Sequence, residues 1–298
     1  MVRHPSLLVS LLKAVRPRQW IKNLLVLAAP AAAGVLTHHH DLLLALGATG
    51  AFCLAASGVY LVNDVLDATA DRLHPVKSSR PVASGAISTV TATTIGVVLA
   101  GAGCASAELL AGNRLLAVLV VYVVNSFSYS LALKHEPVID MVSVSAGFLL
   151  RAIAGGVAVN VPLSDWFLIV ASFGSLLVVA GKRSAEYAQL GDRRSINRPA
   201  LGEYSAAFLR STRILAASVA ITAYCLWAFE RAHAAGQGGG HSIWFELSIV
   251  PVVIAVLLVE LRFESGHGAA PEEMALKDHR LQLAGALWLA LLGIGIYG

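Results

Sequence analysis

Charged residues are scarce in this sequence, and so are cysteines. Asp, Glu, Lys and Arg make up 13% of the 298 residues, whereas 57% are hydrophobic, and the mean hydropathy is +0.71. Soluble globular domains carry about 25% charged residues, so this composition excludes an ordinary soluble domain. Cys53, Cys104 and Cys225 lie in apolar runs without metal-ligand spacing, which argues against a disulfide framework and a cysteine metal site.

Long apolar runs dominate the chain. A membrane helix needs about 20 mostly apolar residues, and polar segments divide the sequence into nine such runs. The predicted spans are 20–37, 42–62, 88–107, 115–133, 139–159, 166–181, 206–229, 243–261 and 281–297. We therefore expect an all-α membrane protein with nine transmembrane helices in a single domain, 1–298.

Basic residues are distributed unevenly between the alternate loops. Arg114 and Arg231 lie on one side of the membrane and Arg151 lies within a span, which leaves 19 of the 22 Lys and Arg on the other side. The positive-inside rule places the amino terminus in the cytoplasm and the carboxyl terminus outside. The cytoplasmic segments are then 1–19, 63–87 and 182–205. We expect a multi-pass protein of the inner (plasma) membrane, and no aromatic-and-basic pattern indicates nucleic-acid binding.

The stretch NDVLDATADRLHPVKSSRP, residues 63–81, places oxygen ligands directly after an apolar span. Its acidic and amide members are Asn63, Asp64, Asp67 and Asp71. On a continuous helix the three aspartates share one face, where they repel each other unless cations neutralise them. Mg²⁺ binds one or two carboxylates together with substrate phosphates, so the pattern predicts a magnesium–diphosphate site. The cations that follow and can bind phosphate oxygens are Arg72, Lys77 and Arg80.

This stretch resembles the first signature of the UbiA superfamily of intramembrane prenyltransferases, N-D-x-x-D-x-x-x-D with a downstream R-P. The segments at 16–30, 129–156 and 181–190 are similar to one branch, the decaprenyl-phosphate phosphoribosyltransferases of actinobacterial cell-wall synthesis. The resemblance implies nine helices around a central cavity open to the cytoplasm. It also implies that Asp64, Asp67 and Asp71 are catalytic and, with Asn63, hold Mg²⁺.

The second cytoplasmic segment departs from the superfamily pattern. Its members usually carry a second acidic motif, D-x-x-x-D, whereas this chain has KRSAEYAQLGD, with Lys182, Arg183 and Glu186 as candidate substrate contacts. A cationic pair opposite one acidic motif favours a donor with an additional phosphate. We therefore expect phosphoribosyl diphosphate as donor. The resemblance implies decaprenyl phosphate as acceptor and a step toward the arabinose donor for cell-wall arabinogalactan.

Further candidate substrate contacts are Lys22, Tyr129, Lys134 and Arg151. Arg16 and Arg18 are interpreted as ordinary topology signals, and no role is assigned to Asp140 or Asp192. An aromatic prenyltransferase that uses a prenyl diphosphate donor is the alternative enzyme. A transporter is the alternative of another class. The sequence leaves the oligomeric state open, and a homo-oligomer is compatible with it.

Overall fold

The computed structural model describes residues 6–73, 76–190, 199–237, 243–266, 268 and 270–298. Within these residues all regular secondary structure is helical, which confirms the all-α prediction. The α-helices are α1 (Leu7–Ala14), α2 (Ala28–Ala32), α3 (His39–Leu66), α4 (Ala68–Arg72), α5 (Thr89–Leu131), α6 (Ile139–Ala158), α7 (Asp165–Leu190), α8 (Pro199–Glu203), α9 (Ala206–Gln237), α10 (Ile243–Leu247), α11 (Ile249–Glu264), α12 (Pro271–Lys277) and α13 (His279–Tyr297). Short 3₁₀ segments cover Pro17–Leu27, Val35–Thr37, Lys77–Ser79 and Leu133–His135.

Seven helical segments of the described chain are long and apolar enough to cross a membrane. They are α3, α5, α6, α7, α9, the combined stretch Ile243–Glu264, and α13. The protein is therefore a multi-pass membrane protein by length and composition. The predicted number of nine spans differs from this count at two places, the first span and α5.

Helix α5 has 43 residues, so a straight helix would measure about 64 Å, roughly twice the thickness of the hydrocarbon core. It is broken at Gly112, where φ is +68° and ψ is −164°. Before the break, a Cβ on Gly103 would lie 2.7 Å from the carbonyl oxygen of Ala51. After it, the ring of Tyr122 lies 5.1 Å from that of Phe52. Both halves thus pack against the same part of α3, which requires the chain to reverse direction at the break.

The first predicted span, 20–37, is not one regular α-helix. The chain forms a 3₁₀ helix over Pro17–Leu27, five α-helical residues in α2, and a further 3₁₀ turn. Runs of 3₁₀ structure this long are uncommon because their hydrogen-bond geometry is poor. Side-chain bonds to α3 accompany it here, since Trp20 Nε1 donates to Ser57 Oγ at 3.0 Å and Asn23 Nδ2 donates to Cys53 Sγ at 3.2 Å.

The chain divides into two compact units. The first comprises residues 1–31, 35–132 and 150–162, and the second comprises 32–34, 133–149 and 163–298. The core of the first unit is built on buried side chains such as Phe52, Leu115 and Leu119. In the second unit, one core surrounds Trp227 and another surrounds Met141. The functional side chains fall into one group in each unit.

Candidate functional site

Asp64 and Asp71 come together at the end of α3. Helical backbone bonds continue across the junction with α4, because Asp67 N–H donates to the Asn63 carbonyl at 2.9 Å and Asp71 N–H donates to the Asp67 carbonyl at 2.8 Å. The side chains of Asp64 and Asp71 are only 3% and 5% exposed. Buried carboxylates need positive partners, and a single arginine provides one for both.

Arg80 is that arginine. Its Nη1 lies 2.7 Å from Asp71 Oδ2 and 3.3 Å from Asp64 Oδ1. The two carboxylates are thus close enough to share one nitrogen. The predicted convergence of three aspartates is met by these two, because the described residues contain no group of three acidic side chains close enough to hold a metal. The predicted role of Arg80 in substrate binding stays a prediction, and in this structure the side chain neutralises the acidic pair.

Arg16 is a second partner of Asp64 that the sequence did not reveal. Its Nη2 donates to Asp64 Oδ1, and its guanidinium lies 5.1 Å from the centre of the Tyr60 ring. The Arg16 backbone is left-handed, with φ +54° and ψ +60°, a conformation that costs a non-glycine residue about 1–2 kcal/mol. The Val15 carbonyl beside it accepts a hydrogen bond from Ser57 Oγ at 3.0 Å.

The oxygen donors at this place fit Mg²⁺. Asn63 Oδ1 is buried and has no hydrogen-bond partner among the described residues, and Asp67 is half-buried at the junction of the two helices. Across the described part of the chain, no three His, Cys, Asp or Glu side chains are grouped closely enough to enclose a metal. Two converging carboxylates and an orphaned amide oxygen suit a magnesium ion whose remaining ligands are water and substrate phosphates.

Four other residues of the first unit were predicted to contact substrate, namely Arg72, Lys77, Lys22 and Tyr129. Arg72 is exposed, and its Nε donates to the Ala83 carbonyl at 3.2 Å. Lys77 is exposed, while Lys22 and Tyr129 are half-buried. The structure does not test whether these four side chains contact substrate, and that role stays a prediction.

Arg151 is buried inside the first unit. Its Nε donates to Asn23 Oδ1 at 2.7 Å, its Nη2 donates to Tyr122 Oη at 2.9 Å, and its guanidinium lies 4.6 Å from the Tyr122 ring centre. The expectation that this charge avoids lipid agrees with its 6% exposure. Amide and aromatic groups are among its partners, because they can solvate a guanidinium where water is absent.

A second group lies in the second unit and centres on Asp140. Arg183 Nε donates to Asp140 Oδ2 at 2.7 Å, and Arg183 Nη1 donates to Glu186 Oε2 at 2.9 Å. The Arg183 and Asp140 side chains are 3% and 0% exposed, whereas Glu186 is 26% exposed. Arg183 therefore binds two carboxylates of its own chain. Its predicted contact with substrate stays a prediction.

Tyr204 completes the group around Asp140. Its hydroxyl donates to Asp140 Oδ1 at 2.5 Å and accepts from the Val138 N–H at 2.7 Å. Burial, together with the hydrogen bond to Asp140, raises the pKa of Tyr204 well above its usual value, so the hydroxyl keeps its proton. Tyr204 lies in the segment after α8, and no short motif in the sequence links it to Asp140.

Two further predicted substrate contacts, Lys182 and Lys134, belong to the second unit. Lys182 on α7 and Lys134 in the turn Leu133–His135 are half-buried, and the structure does not test their role as substrate contacts. Asp192 lies outside the described residues.

Sequence reasoning also missed an ion-pair network around a buried arginine, Arg213, on the helix bundle beside Arg183. Arg213 is 3% exposed, and its Nη2 lies 2.8 Å from Glu260 Oε1 and 2.5 Å from Glu264 Oε1. Its Nη1 donates to Ser184 Oγ at 2.7 Å. This network joins α9 and α11 to the helix that carries Arg183.

Sequence comparison gives the family. A family model described as the UbiA prenyltransferase family matches residues 24–295. The chain belongs to the UbiA prenyltransferase family. It is 43% identical over 295 residues to the decaprenyl-phosphate phosphoribosyltransferase of Mycobacterium tuberculosis strain H37Rv, covering 98% of this chain and 95% of that protein. It is 40% identical over 291 residues to the protein of the same name from Corynebacterium glutamicum, covering 96% and 86%.

Solved structures of UbiA proteins share the fold. A UbiA homologue from Archaeoglobus fulgidus, bound to GPP and Mg²⁺, superposes with a TM-score of 0.69 at 14% identity, covering 96% of this chain and 100% of that one. At this identity the likeness establishes the fold alone. It confirms the all-helical UbiA fold of the chain.

Proposed function

We propose that this protein is a Mg²⁺-dependent phosphoribosyltransferase of the UbiA family. It transfers 5-phosphoribose from phosphoribosyl diphosphate to decaprenyl phosphate. The products are decaprenylphosphoryl-5-phosphoribose and diphosphate, and the lipid product serves as a precursor of the arabinose donor for cell-wall arabinan. Family membership and the decaprenyl-phosphate phosphoribosyltransferases that align over nearly the whole chain support this proposal.

The observation that carries the donor assignment is the composition of the second segment. Where UbiA proteins commonly have a second aspartate motif, this chain has Lys182 and Arg183, and its nearest carboxylate, Glu186, is paired with Arg183 at 2.9 Å. That carboxylate is therefore neutralised by its own chain. One acidic cluster with a lysine on the second segment suits a donor that has one diphosphate and an additional 5-phosphate.

The proposed chemistry is a displacement at C1 of the ribose. The bond between C1 and the diphosphate oxygen breaks, the diphosphate leaves with the electron pair, and an oxygen of the lipid phosphate bonds to C1. A bound Mg²⁺ would neutralise the leaving diphosphate. Asn63, Asp64, Asp67 and Asp71 would hold that ion, and the carboxylates of the three aspartates also favour the positive charge that develops at C1. The lipid phosphate is already an anion, so no strong base is required.

The charge distribution supports a proposed position of the site in the membrane. We place the acidic cluster at the cytoplasmic mouth of a single nine-helix domain, so that water-soluble donor enters from the cytoplasm. The polyprenyl chain of the acceptor would lie along apolar helices within the bilayer. The seven candidate spans of the described chain support a multi-pass membrane protein, and the excess of Lys and Arg in alternate loops supports the cytoplasmic side.

A transfer assay tests the proposal. Membranes containing the protein receive decaprenyl phosphate, phosphoribosyl diphosphate labelled in the ribose, and Mg²⁺, and the lipid fraction is examined by mass spectrometry. We expect a lipid-linked phosphoribose and one equivalent of diphosphate, both abolished by a chelator and restored by added Mg²⁺. Membranes without the protein give the background.

The alternative enzyme remains a prenyltransferase that uses a prenyl diphosphate. The specific observation in its favour is that the A. fulgidus homologue with the same fold binds GPP together with Mg²⁺. Transfer from a prenyl diphosphate to an aromatic acceptor, without any transfer from phosphoribosyl diphosphate, would establish that alternative.

A further inference from the structure

The Tyr204 hydroxyl joins two parts of the chain that carry candidate substrate contacts. It donates to Asp140, whose other carboxylate oxygen receives Arg183 Nε at 2.7 Å. It also accepts the N–H of Val138 at 2.7 Å, in the turn that follows Lys134. One phenol therefore fixes both the start of α6 and, through Asp140, the end of α7.

Val138 needs this hydrogen bond more than an ordinary turn residue would. Its φ is +67°, and a β-branched residue in the left-handed region is a genuine outlier. Such a conformation persists only where its surroundings hold it. The Ile139 N–H donates to the Pro137 carbonyl at 2.7 Å, and the Tyr204 hydroxyl holds the Val138 N–H between them.

The ring of Tyr204 is anchored independently of its hydroxyl. It is buried with Met141, Leu201 and Leu209 and stacks on Phe208 with 5.5 Å between ring centres. Replacement by phenylalanine thus keeps the packing and removes only the two hydrogen bonds. The functional contribution of the hydroxyl can be separated from that of the ring.

We propose that Tyr204 is a positioning residue for the phosphoribosyl donor, acting through Asp140 on Arg183 and Glu186 and through Val138 on Lys134. The proposal rests on the proposed function, because that function gives the donor. Loss of the hydroxyl lets the strained turn relax and leaves Asp140 with one fewer donor. Displacements of about 1 Å in such a framework cost up to about 100-fold in rate.

Tyr224 provides a matched control in the same unit. It has the same 6% exposure as Tyr204, and its hydroxyl likewise takes part in two hydrogen bonds, here with Ser248 Oγ and Trp288 Nε1, both at 2.7 Å. Tyr224 and Trp288 belong to a separate core, around Trp227 and Phe245, and Ser248 Oγ donates to the Phe245 carbonyl at 2.6 Å. None of them is a predicted substrate contact.

The experiment compares Y204F with Y224F in purified, detergent-solubilised protein. Unfolding temperature, kcat and the KM values of donor and acceptor are measured for both, at a temperature well below unfolding. We expect similar decreases in unfolding temperature. Y204F should raise the donor KM about tenfold and leave the acceptor KM within about twofold, whereas Y224F should leave both KM values within about twofold.

A purely structural role for Tyr204 predicts a different result. If Y204F and Y224F have equal unfolding temperatures and equal donor KM values, the positioning role is overturned.

A further variant, V138G in the Y204F background, removes the backbone strain because glycine adopts positive φ readily. It should bring the donor KM part of the way back, and an unchanged donor KM would contradict the action through Val138. All comparisons are ratios to wild type with the same donor, so they remain decisive whichever donor the wild type uses.

Discussion

Arg80 and Asp71 form a 2.7 Å ion pair at the place where the sequence predicts a magnesium–diphosphate site. The same guanidinium nitrogen reaches Asp64, so the acidic pair is neutralised by the chain itself. A metal that binds these carboxylates must therefore compete with Arg80 and Arg16. The arginines released from the carboxylates would then be available for the phosphate oxygens that accompany the metal.

The first prediction concerns Asp64, which binds both arginines. The variant D64N removes one negative charge and keeps the shape of the side chain. We expect phosphoribosyl transfer to fall by about 100-fold or more, with a higher Mg²⁺ concentration needed for half-maximal rate, because a metal ligand is weakened. The rate is measured against Mg²⁺ concentration.

D41N is the control for this variant. Asp41 lies at the other end of the same helix and pairs with two exposed histidines, with 3.3 Å between His38 Nδ1 and Asp41 Oδ2 and 3.5 Å between His40 Nδ1 and Asp41 Oδ1. We expect it to leave the rate and the Mg²⁺ dependence within about twofold of wild type. Full activity of D64N would show that the metal site lies elsewhere.

The second prediction concerns the buried pair of Arg183 and Asp140. R183A leaves the Asp140 carboxylate, which is 0% exposed, without its guanidinium. Breaking a buried pair in this way destabilises a protein by about 3–5 kcal/mol, so we expect a large drop in unfolding temperature. The double variant R183M/D140N removes both charges and should recover most of the lost unfolding temperature.

R210A provides the contrast, since Arg210 and Glu264 are 66% and 45% exposed. An exposed pair contributes at most about 1 kcal/mol. Thermal unfolding in detergent compares the variants. Equal effects of R183A and R210A would contradict a buried ionic role for Arg183.

The third prediction is a pH dependence at Asp278. Asp278 Oδ2 lies 2.6 Å from Arg262 Nε and 2.5 Å from Arg262 Nη2. The hydrogen bond from Arg262 lowers the pKa of Asp278. The stabilisation that the ionised Asp278 provides is therefore complete above the pKa of the unfolded chain, about 3.9. It is lost as the pH falls through the lower pKa of the folded protein. D278N keeps an oxygen for the Arg280 N–H. Its deficit in unfolding temperature should be constant from about pH 7 to pH 5 and should shrink below about pH 4. A deficit that does not change with pH would exclude the charge as its cause.

The fourth prediction concerns the close packing of α6 against the first span. A Cβ on Gly155 would collide with the carbonyl oxygen of Val26, so G155A must separate the two backbones. We expect a loss of about 3 kcal/mol or more. In contrast, a Cβ on Gly285 has no neighbour within 4 Å, and G285A should be neutral or stabilising by up to about 1 kcal/mol. Equal unfolding temperatures for the two variants would refute the close approach.

Hydrophobic run length predicted the elements of the fold well, because a membrane helix must satisfy its backbone internally. The runs 42–62 and 139–159 correspond to α3 and α6. The irregular first span could not be predicted from hydropathy, since its conformation depends on tertiary bonds such as Trp20 to Ser57. The reversal at Gly112 was visible only as a polar interruption between two apolar runs.

The candidate site was predictable where its residues are close in sequence. Helical spacing brings Asp64 and Asp71 together, and the structure shows them sharing Arg80. The partnership of Arg16 with Asp64 spans 48 positions, and that of Tyr204 with Asp140 spans 64. Such pairs carry no local signal, so Arg16 was interpreted as an ordinary topology signal and no role was predicted for Tyr204.

The most direct test of the central claim is a side-by-side donor comparison. Purified protein with Mg²⁺ is given decaprenyl phosphate and phosphoribosyl diphosphate in one reaction, and a prenyl diphosphate with an aromatic acid in the other. We predict a lipid-linked phosphoribose with stoichiometric diphosphate release in the first reaction and no prenylated product in the second. Prenyl transfer in the second reaction, with no lipid-linked sugar in the first, would contradict the account.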